Sequence, residues 1–118
     1  MRVYASVADL IFASKITGTA QKLGVEVHFY RDLDDLLASA EQLRPDLFIL
    51  DLDSSKLDSL EVIRSLKAKP QLRQVPIVAF LSHVRTDLKK EAELAGCDRV
   101  LARSQFNARI VEILTGKL

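Results

Sequence analysis

The chain has 118 residues, 48% of them apolar and 28% charged, which is the size and make-up of one globular domain spanning 1–118. Its apolar runs last only a few residues, excluding a bilayer-spanning segment, and Asp9 interrupts the N-terminus too early for a signal peptide. A net charge of +1 argues against general affinity for nucleic acid or anionic membrane, and one cysteine, Cys97, excludes an internal disulfide and fits a reducing cytoplasm.

Apolar runs alternate with segments of helical period along the whole chain. Arg2 to Val7 reads as a first strand. Leu10 to Leu23 follows as a helix, with Phe12, Ile16, Ala20 and Leu23 at helical spacing and Gly24 closing it. Val25 to Tyr30 is a second strand, and Asp32 caps a helix whose stripe is Leu33, Leu36, Leu37, Ala40 and Leu43. Pro45 ends that helix and opens the strand Asp46-Leu47-Phe48-Ile49-Leu50-Asp51.

Leu57 to Leu66 is a third helix and Ile77 to Leu81 a fourth strand. Thr86 caps a helix to Ala95 that Gly96 terminates, and Arg99 to Ala102 is a fifth strand. Ser104 caps a last helix carrying Phe106, Ile110, Ile113 and Leu114. Five strands alternating with five helices imply an α/β fold, a doubly wound parallel sheet in the order 2-1-3-4-5. Ligands of such sheets bind at the carboxyl ends of the strands, which is where Asp51 stands.

Pro45-Asp46-Leu47-Phe48-Ile49-Leu50-Asp51, Leu57-Asp58-Ser59-Leu60-Glu61-Val62, Val75-Pro76-Ile77-Val78 and Ala95-Gly96-Cys97-Asp98 occur in that order at fitting separations. With these four pieces the chain resembles the receiver domains of bacterial response regulators, which have the flavodoxin-like fold. The resemblance implies that Asp51 is the phosphoacceptor position. It also implies a divalent cation, Mg2+, held by that aspartate, an acidic pair after the first strand and a backbone carbonyl, since hard cations take oxygen ligands. A hydroxyl after the fourth strand and a lysine after the fifth would contact the phosphoryl group.

The acidic pair falls on Val7 and Ala8, which offer no side-chain ligand. Asp9 is one residue further on, and either substitutes through a local shift or serves as a helix N-cap. The hydroxyl position falls on Leu81, with Ser82 a substitute only if the strand end bulges. The lysine falls on Arg103, expected to form a fixed salt bridge with Asp51, and the aromatic switch position falls on Val100. Asp53 would be either a third ligand of a weak cation site with Asp9 and Asp51 or a solvated loop acid.

Residues 31 to 61 hold nine acids against three bases, whereas from Arg64 onward eleven bases face five acids. Within that basic half, Arg85, Lys89, Lys90, Arg99 and Arg109 form either a solubilising face or a surface for a protein partner. Lys67-Ala68-Lys69-Pro70 reads as a solvated helix end, His28 as a packed or edge residue, His83 as a loop histidine and Cys97 as a small semi-buried residue.

The expected function is a stand-alone pseudo-receiver, cytoplasmic, monomeric or homodimeric. It would work by phosphorylation-independent interaction with protein partners of a bacterial two-component pathway, with no cofactor, no nucleic acid and no enzymatic activity. The alternative is a working single-domain response regulator, phosphorylated on Asp51 with Mg2+ in a displaced site. A small hydrolase or nucleotide-binding protein is disfavoured, because no Gly-rich phosphate loop follows the first strand.

Overall fold

The computed structural model describes residues 1–54, 57–82 and 85–117. In chain order the elements are β1 (Arg2–Ser6), α1 (Leu10–Leu23), β2 (Glu26–Phe29), α2 (Leu33–Gln42), β3 (Leu47–Asp51), α3 (Ser59–Ala68), β4 (Ile77–Leu81), α4 (Thr86–Ala95), β5 (Arg99–Ala102), α5 (Arg103–Ala108) and α6 (Ile110–Leu114). All strand pairings are parallel and the sheet order is β2-β1-β3-β4-β5, as expected.

β3 and β4 are buried along their whole length, so both faces of each must be apolar. The pleat then deals their side chains into two cores. Phe48, Leu50, Ile77, Ala79 and Leu81 join Leu36, Val62, Ile63, Leu66 and Ala92 under α2, α3 and α4. Leu47, Ile49, Val78 and Phe80 join Phe12, Ile16, Phe106, Ile110, Ile113 and Leu114 under α1, α5 and α6. By the same alternation Asp51 follows Leu47 and Ile49 toward the α1 and α5 side.

The acids after the strands fix the helix starts. Asp9, Asp32 and Asp58 each accept two backbone N–H bonds in the first turn of α1, α2 and α3. Two ends require glycine: Gly24 (φ 70°) and Gly96 (φ 115°) stand where a side chain would be strained.

Three expectations about helix ends change. Thr86 does not cap α4; it is the first helical residue, Arg85 holds the cap position, and among the described residues no capping side-chain bond is made there. Ser104 does not cap α5 either, since the cap position is Ala102, whose N–H donates to Gln105 Oε1 at 3.0 Å. The expected last helix is divided into α5 and α6 at Arg109 (φ −114°, ψ 18°), whose N–H is shared between the carbonyls of Gln105 and Phe106. Among the described residues no helix is long and apolar enough to cross a membrane.

Lys67 is not part of a solvated helix end. Its Nζ donates to the carbonyls of Arg73 (3.0 Å) and Val75 (3.4 Å) and pairs with Asp98 Oδ2 at 3.2 Å. The same Asp98 oxygen accepts the Ile77 N–H at 2.8 Å, so the cation ties the loop before β4 to the turn before β5.

Candidate functional site

Asp51 ends β3 with 2% of its surface exposed. Its Oδ1 accepts the Asp53 N–H at 2.9 Å, and Oδ2 receives a longer approach from the Ala8 N–H at 3.4 Å. Burial pushes the carboxyl above the ordinary carboxylate range; the two N–H groups and the charge of Arg103 oppose that rise. Behind it, the Ser59 hydroxyl donates to the Asp51 carbonyl at 2.9 Å, fixing the start of α3 against the strand end.

Asp9 both caps α1 and reaches across the edge. Its Oδ1 accepts from Ile11 N (2.9 Å) and Phe12 N (3.1 Å), while Oδ2 takes Arg103 Nη1 at 2.6 Å. The Phe12 N–H and then the Arg103 guanidinium hold its carboxyl below the usual range.

Asp53 is exposed in the loop after β3, and its carboxylate is engaged there. Its Oδ2 accepts the Ser82 N–H at 2.5 Å and lies 3.6 Å from Arg103 Nη2. Ser82 therefore contributes a backbone N–H here, and its side chain is not what links it to Asp53. The expected Arg103–Asp51 salt bridge is also replaced: the ion pairs of Arg103 run to Asp9 and Asp53, and Asp51 feels the guanidinium only as a neighbouring charge. The reason lies underneath. The Arg103 guanidinium carbon stands 5.2 Å from the Phe12 ring centre and 5.6 Å from that of Phe80, which places the cation within cation–π range of two rings. Phe80 also stacks with Phe12 at 4.7 Å and with Phe106 at 4.9 Å.

Leu81 follows the other parity of β4 and is packed in the α3 and α4 core with Val100. It faces away from the Asp51 side of the sheet, so the structure does not bring Leu81 and Asp51 together. Over Val100 lies a cleft of ≈ 230 Å³ lined by Leu81, Arg85, Lys89, Leu101, Ala102 and Gln105. Of the basic residues singled out in the sequence, it gathers Arg85 and Lys89. Lys90 and Arg99 are exposed beyond the cleft, and Arg109 pairs instead with Glu112 at 3.0 Å. A second cleft of ≈ 150 Å³ at the β1–β3 switch point is lined by Ser6, Val7, Ala8, Leu10, Tyr30, Arg31, Ser54 and Leu57.

His28 lies on the edge strand, 3.0 Å from Glu26 Oε2. His83 lies outside the described residues. Cys97 is buried rather than semi-buried, and burial pushes its thiol up to about 11, which makes it unreactive at neutral pH. The aromatic floor beneath Arg103 is not among the sequence expectations; its signal is the helical spacing of Phe12 and the position of Phe80 one residue before the end of β4.

An all-parallel sheet in this order, with a buried aspartate ending its third strand, is the receiver architecture, and residues 9–115 match the response regulator receiver domain. The chain belongs to that family. It is similar to the polar-differentiation response regulator DivK of Brucella anthropi, 26% identical over 93% of this chain and 82% of that one. Chemotaxis response regulator CheY4 of Vibrio cholerae superposes with a TM-score of 0.83 at 21% identity, covering 99% of this chain and 98% of that chain. The receiver domain of sensor histidine kinase PA1611 from Pseudomonas aeruginosa PAO1 has a magnesium ion coordinated in its active site cleft. It superposes at 0.79 with 23% identity over 98% and 97% of the two chains. At these identities the two structures speak for the fold. Receiver domains are signalling modules rather than classical enzymes, and response regulators act with protein partners in bacterial two-component pathways.

Proposed function

We propose that this receiver domain is a pseudo-receiver, a module that signals by binding a protein partner without being phosphorylated. The observation that carries the reading is the engagement of Arg103. The side chain at the phosphoryl-contacting position is tied to Asp9 and Asp53 and stacked on two rings, so it is not poised over Asp51. Leu81 and Val100 add to it, one lacking a hydroxyl and the other an aromatic rotor. The binding face in this reading is the cleft over Val100 with Arg85 and Lys89 at its rim and Lys90 and Arg99 beside it; Arg109 contributes less, being paired with Glu112. Exposed cations around an apolar floor suit an acidic protein surface. No cofactor and no nucleic acid enter this reading, and the protein would act in the cytoplasm as monomer or homodimer.

The competing reading is a working regulator phosphorylated on Asp51. Its support is Asp51 itself, placed at the strand end with two N–H groups aimed at its oxygens. Two measurements separate them. Incubation with magnesium and a small acyl phosphate should leave the intact mass unchanged; a single phosphoryl adduct lost in Asp51→Asn would establish the competing reading. Lys90→Glu with Arg99→Glu should weaken capture of the partner, and Asp51→Ala should leave it nearly unaltered. Loss of capture in the Asp51 variant alone would overturn the proposal.

A further inference from the structure

Asp9, Asp51 and Asp53 bring three carboxylates to one sheet edge, a charge arrangement that requires a cation. The group that meets the requirement is built into the chain. Arg103 Nη1 lies 2.6 Å from Asp9 Oδ2 and Nη2 lies 3.6 Å from Asp53 Oδ2, so the two arms of one guanidinium hold two of the three acids. Their remaining bonds point the same way. Asp9 Oδ1 is given to the first turn of α1, and the Asp53 oxygen facing Arg103 also takes the Ser82 N–H.

A divalent cation of the kind coordinated in the receiver domain of PA1611 does not fit this donor set. Hard cations need several oxygen ligands at short range. Val7 and Ala8 supply none from their side chains, Asp9 is committed to helix and arginine, and among the described residues no three His, Cys, Asp or Glu side chains converge on a common point. An arriving ion would also meet a positive charge already seated. That charge is held by its two carboxylate partners and by the Phe12 and Phe80 rings, whose centres lie 5.2 and 5.6 Å from the guanidinium carbon.

We infer that Arg103 is the resident cation of this edge, an intramolecular guanidinium standing in place of the divalent metal, so that the domain holds its carboxylates together without Mg2+. Arginine suits the position for reasons lysine cannot meet. Its planar fork contacts two carboxylates at once, and its weak hydration lets it rest on aromatic faces. The inference rests on the same engagement of Arg103 as the proposed function but concerns the metal alone.

The test is a titration of the whole chain with Mg2+, followed through amide shifts of Ala8, Asp53 and Ser82, and with Mn2+, followed through paramagnetic broadening of the same amides. The wild type should show neither at millimolar Mg2+ or low-micromolar Mn2+. Arg103→Ala frees both acids and should bind Mg2+ at least about tenfold more tightly, the order of effect expected when one cation is removed from beside carboxylates. It should also melt lower than wild type in chelator and recover part of the loss on adding Mg2+. Arg103→Lys should fall between the two, since an ammonium reaches one acid rather than both, and it keeps the comparison available should the alanine variant not fold.

Wild-type broadening at low-micromolar Mn2+, or equal Mg2+ affinity in wild type and Arg103→Lys, would overturn the inference. Neither result bears on whether partner capture needs Asp51. Conversely, capture lost in Asp51→Ala would overturn the pseudo-receiver reading and leave the metal result standing.

Discussion

Asp51 and Asp9 stand on one sheet edge, yet folding moves their protonation in opposite directions. Burial raises the Asp51 carboxyl, so its contribution to stability is present below the ordinary carboxylate value and lost as pH rises through the folded one. At pH above the ordinary carboxylate value, burial of the Asp51 carboxyl therefore weighs against the fold. Asp51→Asn should melt higher than wild type near pH 7, and the gain should shrink as the buffer is acidified. The helix N–H groups and Arg103 lower the Asp9 carboxyl, so its contribution is present above the ordinary value and lost as pH falls through the folded one. Asp9→Asn keeps a good capping side chain and removes the charge. It should melt lower at neutral pH and converge on wild type in acid. Thermal melts across the acid-to-neutral range check both, and equal signs for the two variants would contradict the site geometry. The sequence made Asp51, Val7, Ala8 and Leu81 legible because strand ends can be counted. The partners of Arg103 were not legible, because a side chain of that length chooses among several acids and the choice was made by Phe12 and Phe80.

At the scale of elements, the turn from α4 into β5 is held by a pairing of two distant segments. Gly96 is at φ 115°, and a methyl group added there would stand 2.8 Å from Lys67 Cγ. The stem of Lys67 thus lies against the glycine while its ammonium binds the Arg73 and Val75 carbonyls and Asp98. Gly96→Ala should cost roughly 1–2 kcal/mol, since alanine is strained at positive φ. Lys67→Ala should cost about 1.5 kcal/mol from hydrogen bonds to a charged group. The double variant should be less destabilised than the sum by about 0.5 kcal/mol or more, because removing the lysine stem relieves the crowding and leaves only the backbone strain. Denaturant melts of the four proteins measure it, and strict additivity would show that stem and glycine do not touch. Elements of this kind were legible where punctuation marks them. Gly24, Gly96, Asp32 and Pro45 each carry a local reason to end or start a helix. The break at Arg109 carries no proline or glycine, and nothing in the structure explains it, since Phe106, Ile110, Ile113 and Leu114 would share one face of an unbroken helix as well.

The whole molecule is a sheet with two apolar faces and an uneven rim. The strand order sets the acids of α2 apart from the bases of α4 and β5, while Lys69 with Glu41 at 2.6 Å and Arg103 with Asp53 at 3.6 Å join the acidic stretch of the sequence to the basic one. Among the described residues Lys89, Lys90 and Arg99 enter no ion pair, so their charge is available to a partner. Partner capture through this face should weaken steadily with added salt, as exposed charges are screened within about 8 Å at physiological ionic strength. Titrating salt into the capture experiment tests this, and Lys90→Glu with Arg99→Glu should flatten the dependence while Asp51→Ala should not. A capture strength indifferent to salt would place the partner elsewhere. The strand order itself was legible in full, because alternation of apolar runs with helical stripes leaves few right-handed parallel topologies.

The bridge from Arg103 to Asp9 joins residues 94 positions apart. Contacts so remote along the chain carry a larger loop-closure cost than local ones. During synthesis α1 leaves the ribosome early, but the partner that completes its capping aspartate arrives only after all five strands have been made. Until then Asp9 and Asp53 lack the cation that pairs with them in the fold. The ion pairs of this edge therefore cannot form before residue 103 has been made.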